Sequence, residues 1–157
     1  MDSELSEHPG RVVARLARQL ELAAATVDLT LPQYRTLSLL GDGDEAASAL
    51  ADKLAVSRPT LTGVVDGLVG RGLVQRNHDD GDRRRIGLAL TDAGRRVLAV
   101  ADGEIERRLR DIAAYRPDGA EAALRALQPW KEALDAYRAA RRAGAPRAGE
   151  PRQGAAA

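Results

Sequence analysis

Residues 50–94 read LADKLAVS, then RPTLTGVVDGLVGRGLV, then QRNHDDGDRRRIGLALTDAG. The order predicts a helix, a tight turn, a second helix and an arginine-tipped β-hairpin. In the second helix Leu61, Val64, Val65, Leu68 and Val69 recur at i, i+3, i+4, i+7 and i+8, one apolar stripe facing a core. Ser57 is a good N-cap because its hydroxyl can accept an orphan backbone N–H. Pro59 falls in the first turn, where its missing N–H does no harm. Thr60, Thr62, Gly63, Asp66, Gly67 and Gly70 lie on the opposite face. Each glycine there costs about 1 kcal/mol against alanine. Close approach to the helix backbone would explain that cost; so would simple tolerance.

Upstream, Leu50, Ala51, Leu54 and Ala55 form the apolar face of the first helix. Ala55-Val56-Ser57 is the short link of a helix-turn-helix, with Ala55 where glycine is common. Asp44 or Ser48 is expected to cap the first helix. Downstream, Leu73–His78 and Arg85–Leu90 are expected strands. Ile86, Leu88 and Leu90 alternate with Gly87 and Ala89, the period of a half-buried strand. Asp79-Asp80-Gly81-Asp82 supplies the turn through an Asp-Gly step.

Arg83, Arg84 and Arg85 follow that turn. Such a charge run is ordinarily just solvated. Directly after a helix-turn-helix it points to phosphate or minor-groove contact, since arginine inserts into narrow minor grooves. Asp82 fits a role in orienting these arginines; the turn lacks the order of a calcium loop. A helix beside a basic hairpin is a device for holding double-stranded DNA. Ser57, Arg58, Pro59, Thr60, Thr62, Gly63, Asp82, Arg83, Arg84 and Arg85 are therefore the candidate DNA-binding residues.

The 157 residues carry a net charge of only +1. Its distribution says more: residues 1–56 hold 5 basic and 9 acidic groups, whereas residues 57–96 hold 8 and 5. Positive charge collects where the recognition elements lie. Cysteine is absent, which excludes disulfides, thiolate metal sites and thiol redox sensing by this chain. The acidic start MDSELSEHPGR has no apolar signal segment, and no stretch approaches a membrane helix, so a cytoplasmic location and no membrane partner are expected. His8 and His78 are far apart in sequence, and neither a phosphate loop nor a metal-ligand cluster is present. No catalytic residue, metal or cofactor is expected, and the chain is not read as an enzyme.

Around this centre, Val13, Leu16, Leu20, Ala23 and Val27 mark a helix over 9–27. Thr30-Leu31-Pro32-Gln33 is a capping box opening a helix through Leu40. Thr91 caps a long helix with Val97, Leu98, Ala101, Ile105, Leu109 and Ile112 as its apolar positions. Arg116-Pro117-Asp118-Gly119 is a break. A last segment reaches about Arg142 with Leu124, Leu127, Trp130, Leu134 and Tyr137, and Pro129 should kink or split it. Residues 144–157, rich in Gly, Pro, Arg and Ala, read as a disordered tail. The fold expected is mainly α with a small β-hairpin wing. It forms one domain over 1–143, in which a winged helix-turn-helix lobe at 29–96 is flanked by dimerisation helices at 9–27 and 97–142. The terminal helices carry more apolar surface than one small lobe covers, which favours a two-fold homodimer and a palindromic operator over a self-contained bundle.

In this element order the chain resembles the MarR family of bacterial transcriptional regulators. LTLPQY (29–34), SRPTLTGVVDGLVGRGLV (57–74) and DDGDRRRIGLALTDAG (79–94) carry the resemblance. The last is similar to the family's wing signature, at Asp82, Arg83, Arg84, Leu90, Thr91 and Gly94. The resemblance implies a homodimer with interlocked terminal helices, the 57–71 helix in the major groove and Arg84 in the minor groove. It also implies a regulator, most often a repressor, released from DNA by a small phenolic or aromatic effector. Arg15 and Tyr34 are candidates for bordering such an effector pocket, with a structural role as the competing reading. Two departures stand out. Some relatives carry arginine at the position of Gly63, so base readout here must rest more on Arg58, Thr60 and Thr62. Peroxide-sensing relatives use a cysteine that this chain lacks. The alternative function is a winged helix that binds another protein without specific DNA binding.

Overall fold

The computed structural model describes residues 8–78 and 86–143. The chain divides into two compact units, with the boundary between Leu109 and Arg110.

In the first unit, α1 (Pro9–Ala25) precedes α2 (Leu31–Gly41). Thr30 and Gln33 form the expected capping box: the Thr30 backbone N–H donates to Gln33 Oε1 at 3.0 Å, and the Gln33 N–H donates to Thr30 Oγ1 at 3.3 Å. A two-residue strand β1 (Glu45–Ala46) leads into α3 (Ala47–Leu54). That strand is not visible in the sequence, because two residues are too few for any periodicity. It also displaces the expected cap. Ala46, not Asp44 or Ser48, holds the N-cap position of α3, with no side-chain bond there. Its extended backbone comes from pairing with the hairpin.

Ala55 ends α3 in the left-handed region at φ 55°. Its backbone N–H reaches the Asp52 carbonyl at 3.2 Å, and that of Val56 reaches the Ala51 carbonyl. This is the helix C-terminal turn in which glycine is usual. Arg35 from α2 adds a guanidinium bond to the Leu54 carbonyl at 3.2 Å. That is a side-chain substitute for one of the carbonyl partners a helix end lacks.

After α4 (Arg58–Gly70), β2 (Val74–His78) and β3 (Ile86–Leu90) pair antiparallel from Val74↔Leu90 to His78↔Ile86. The sheet order is β1-β3-β2. The first hairpin strand is one residue shorter than expected, starting after Leu73. Arg85 lies outside the described residues. Ala89, expected on the open face of β3, is buried together with Leu88 and Leu90. β3 is the central strand, and a methyl side chain is short enough for its neighbours to cover.

The core joins Leu37 and Leu40 of α2, Leu50 and Leu54 of α3, Leu61, Val65 and Leu68 of α4, Leu88 and Leu90 of β3, and Leu98 and Ala101 of α5 (Asp92–Ala113). Thr36 is the buried polar side chain among them, and its hydroxyl donates to the Pro32 carbonyl at 2.8 Å. Gln19 of α1 accepts from Arg108 of α5 at 2.9 Å.

The second unit holds α6 (Gly119–Arg125) and α7 (Gln128–Arg142). The break at 116–119 is as expected. Arg116 grips Asp118 through two bonds of 2.7 Å, which hold the aspartate carboxyl below its usual range. Gly119 takes φ 81°. Pro129 splits the last segment, standing in the first turn of α7. Leu127, Trp130, Leu134 and Tyr137 are about half exposed or more along this segment. On α1, Val13 is 63% exposed beside Val12 and Leu22. No helix among the described residues is long and apolar enough to cross a membrane.

Candidate nucleic-acid interface

α4 begins where its sequence says it should. Ser57 accepts the Thr60 backbone N–H at 3.3 Å, and Pro59 sits in the first turn. Leu61, Val65 and Leu68 are buried, with Val64 and Val69 half-buried beside them. Arg58, Pro59, Thr60, Thr62 and Gly63 are all exposed at the start of this helix. The structure thus brings six of the sequence-predicted residues, Ser57 to Thr60 with Thr62 and Gly63, onto one helix start. Arg58 has no ion-pair partner among the described residues. Its charge adds to the positive end of the helix dipole, a combination that attracts phosphate.

Both threonine hydroxyls already have partners within the helix. Thr60 Oγ1 lies 2.7 Å from Ser57 Oγ, and Thr62 Oγ1 donates to the Arg58 carbonyl at 2.9 Å. A hydroxyl whose proton is committed can only accept from a base, so the Thr62 methyl becomes its main contact surface. A Cβ added at Gly63 or Gly70 would meet nothing within 4 Å, whereas one at Gly67 would touch Gln33 at an ordinary 3.5 Å. The outer faces at Gly63 and Gly70 are therefore open.

The hairpin is held against this helix at its base. Thr91 caps α5 by accepting the Gly94 N–H at 3.0 Å, and its hydroxyl donates to the Gly72 carbonyl at 2.7 Å. Its own N–H donates to the Leu73 carbonyl at 3.1 Å. Gly72 supplies the turn out of α4 with φ 69°. On the outer side, Arg76 of β2 forms an ion pair with Asp66 of α4. Sequence reasoning did not single out this pair; its signal is an acidic residue and an arginine ten positions apart, which helix and strand periodicities alone do not connect. Asp82, Arg83, Arg84 and Arg85 lie outside the described residues. Arg71, at the end of α4, donates to the Asp28 carbonyl at 2.7 Å and faces its carboxylate at 3.5 Å.

The two candidate effector residues stand apart from this surface. Arg15 is exposed on α1. Tyr34 is half-buried on α2, and its hydroxyl donates to Asp102 of α5 at 2.9 Å. Burial first, and then the Asp102 carboxylate as acceptor and negative charge, push the Tyr34 phenol above its usual range. Tyr34 thus ties α2 to α5.

Residues 29–86 match the family model described as the MarR family. Among curated proteins, the transcriptional regulator HosA of Escherichia coli is 39% identical over 75 residues, 47% of this chain and 56% of its own. The transcriptional repressor NicR of Pseudomonas putida is 38% identical over 76 residues, 48% of each. The chain thus spans about half the length of the curated relatives it matches. Among solved structures, the transcriptional repressor CouR bound to a 23-mer DNA duplex is 32% identical, with a TM-score of 0.66, covering 83% of this chain and 97% of CouR. A MarR-family regulator from Rhodococcus sp. RHA1, 22% identical with a TM-score of 0.68 over 82% of this chain and 88% of its own, shares the fold. With these likenesses, a capped helix beside a hairpin, tied at Thr91 and Gly94, identifies the chain as a member of the MarR family of transcriptional regulators.

Proposed function

We propose that this protein is a cytoplasmic, sequence-specific regulator of transcription that binds a palindromic double-stranded operator as a homodimer. α4 enters the major groove, with Arg58, Thr60 and Thr62 facing the DNA and the N-terminus of the helix on phosphate. The wing arginines Arg83, Arg84 and Arg85, with Asp82 orienting them, contact the flanking backbone, and Arg84 reaches into the minor groove. The observation that carries this reading is the exposed cluster at the start of α4, beside a hairpin, in which Arg58 has no ion-pair partner among the described residues. CouR, similar over nearly its whole length and bound to DNA, supports it.

The dimer uses the exposed apolar side chains of α1 (Val12, Val13 and Leu22) and of α7 (Trp130, Leu134 and Tyr137), since exposed apolar patches mark interaction sites. Residues 29–96 act as the DNA-binding lobe, and the helices at 9–27 and 97–142 as the dimerisation elements. The regulator acts as a repressor, and a small aromatic acid or phenol relieves it. NadR, a 27% identical structure with a TM-score of 0.64, is in complex with 4-hydroxyphenylacetate, which supports that ligand class. Arg15 and Tyr34 are the residues assigned to the effector site.

The test is binding to duplexes selected by the protein from a random library, measured against an unrelated duplex over a range of salt. Tight binding to a selected palindrome, with an affinity that falls linearly in log salt, is expected. Absence of any preference between the duplexes would overturn the reading.

A further inference from the structure

The outer stripe of α4 carries a single acidic side chain, Asp66, one turn beyond Thr62 and Gly63. Its carboxylate takes a guanidinium hydrogen bond from Arg76 on β2. Both side chains remain open to water, at 56% and 37% exposure. Exposed pairs of this kind add little to folding, so stability does not account for the arrangement. Its electrostatic consequence is larger. Through Asp66, Arg76 reaches the same helix face that Arg58 and Thr62 occupy, the face that the proposed complex turns toward the DNA. Arg58 has no counter-ion among the described residues; Arg76 has one.

We propose that Asp66 is a positioning residue for DNA binding: it holds Arg76 on the protein surface and so withdraws one phosphate contact per subunit. The inference rests on the DNA-binding reading above. It assigns to the Asp66–Arg76 pair the setting of sequence-independent affinity, while Arg58 and the threonines set sequence choice. Phosphate contacts are blind to sequence, so the pair acts equally on every duplex.

A double-mutant cycle tests this with Asp66→Asn, Arg76→Gln and both together. Binding is measured by fluorescence anisotropy over a range of salt, on a library-selected duplex and an unrelated one. Asp66→Asn should tighten both by about 10- to 60-fold near 0.1 M salt, the gain expected of roughly one released counterion in each subunit of the dimer. Arg76→Gln should flatten the log–log salt slope by about 0.9 per subunit when combined with Asp66→Asn, and by much less alone. Asp66→Glu, which keeps the charge, should retain the wild-type slope. Thermal unfolding of each variant reports folding separately. An Arg76→Gln effect of equal size in both backgrounds would overturn the inference while leaving the DNA-binding reading intact. Wild-type protein that binds neither duplex in a salt-dependent way would overturn that reading and the inference with it.

Discussion

Gly94 lies so close to Leu73 that a Cβ at position 94 would stand 2.0 Å from the Leu73 carbonyl oxygen and 3.0 Å from its carbonyl carbon. The obstacle is backbone, so no rotamer change relieves it. The same carbonyl accepts the Thr91 N–H, so moving it would also break the bond that seats α5 against the hairpin. Gly94→Ala should therefore destabilise the protein by about 1–3 kcal/mol or more, the range for overpacking a tight site. Chemical denaturation checks this; a loss below about 0.5 kcal/mol, ordinary for a surface change, would contradict the geometry.

In the proposed complex Thr62 offers its methyl rather than its hydroxyl, because the hydroxyl donates to the Arg58 carbonyl. Thr62→Val keeps the methyl and should preserve preference for the selected duplex. Thr62→Ser removes the methyl and should lose about 1–3 kcal/mol on that duplex alone, the usual cost of one disrupted base contact. Anisotropy titrations on selected and unrelated duplexes make the comparison. The reverse pattern would place readout on the hydroxyl.

Gly63 stands in open space on an exposed helix face. Gly63→Ala should raise stability by up to about 1 kcal/mol through helix propensity and unfolded-state entropy. Gly63→Arg should steepen the salt slope of duplex binding by about 0.9 per subunit if the new guanidinium meets a phosphate. A Gly63→Ala variant that melts higher but no longer binds DNA would mean that the duplex approaches the helix backbone at this position.

Tyr34→Phe removes the hydroxyl that joins α2 to Asp102. A single hydrogen bond to a charged partner contributes about 1.5–3 kcal/mol at most. The half-open setting of this one, with Asp102 exposed, puts the expected loss at about 1 kcal/mol. Urea unfolding measures it, and unchanged stability would show that water replaces the bond.

Sedimentation should give about twice the 16.7 kDa chain mass. Trp130→Glu and Leu134→Glu place charge on the exposed apolar face of α7 and should shift the protein toward monomer. A wild-type monomer at micromolar concentration would remove the two-fold argument for a palindromic site.

Most of the helices were legible because local chemistry announces them; the start of α3, set by strand pairing at Ala46, was not. The Thr30–Gln33 box, the Ser57 cap with Pro59, and the Thr91 cap all stand where their residue types require. Pro129 splits the last helical segment as a missing N–H must. What sequence did not reveal depends on partners distant in the chain. β1 exists because Glu45 and Ala46 pair with Leu88 and Gly87, and two residues carry no period. The Asp66–Arg76 pair and the Tyr34–Asp102 bond join separate elements, and neither has a spacing rule. The role of Gly94 was visible as part of a motif, but its reason, a carbonyl crossing close above it, belongs to tertiary structure. The arginines at 83–85 rest on sequence and resemblance alone.

The position of β3 within its sheet bears on how the protein behaves at high concentration. Ile86–Leu90 reads IGLAL, a short uncharged apolar run of the kind that templates intermolecular β-pairing when its edge is free. Here it is the middle strand. β2 covers one side along its whole length, and Glu45–Ala46 covers part of the other, with Glu45 itself anchored by Lys53. Of the two outer strands, β2 presents exposed Gln75, Arg76 and Asn77, and a charged edge strand is a poor template for another chain. The two-residue strand β1 therefore shields an aggregation-prone neighbour, and loosening Glu45 from Lys53 should show first as a tendency to aggregate during heating.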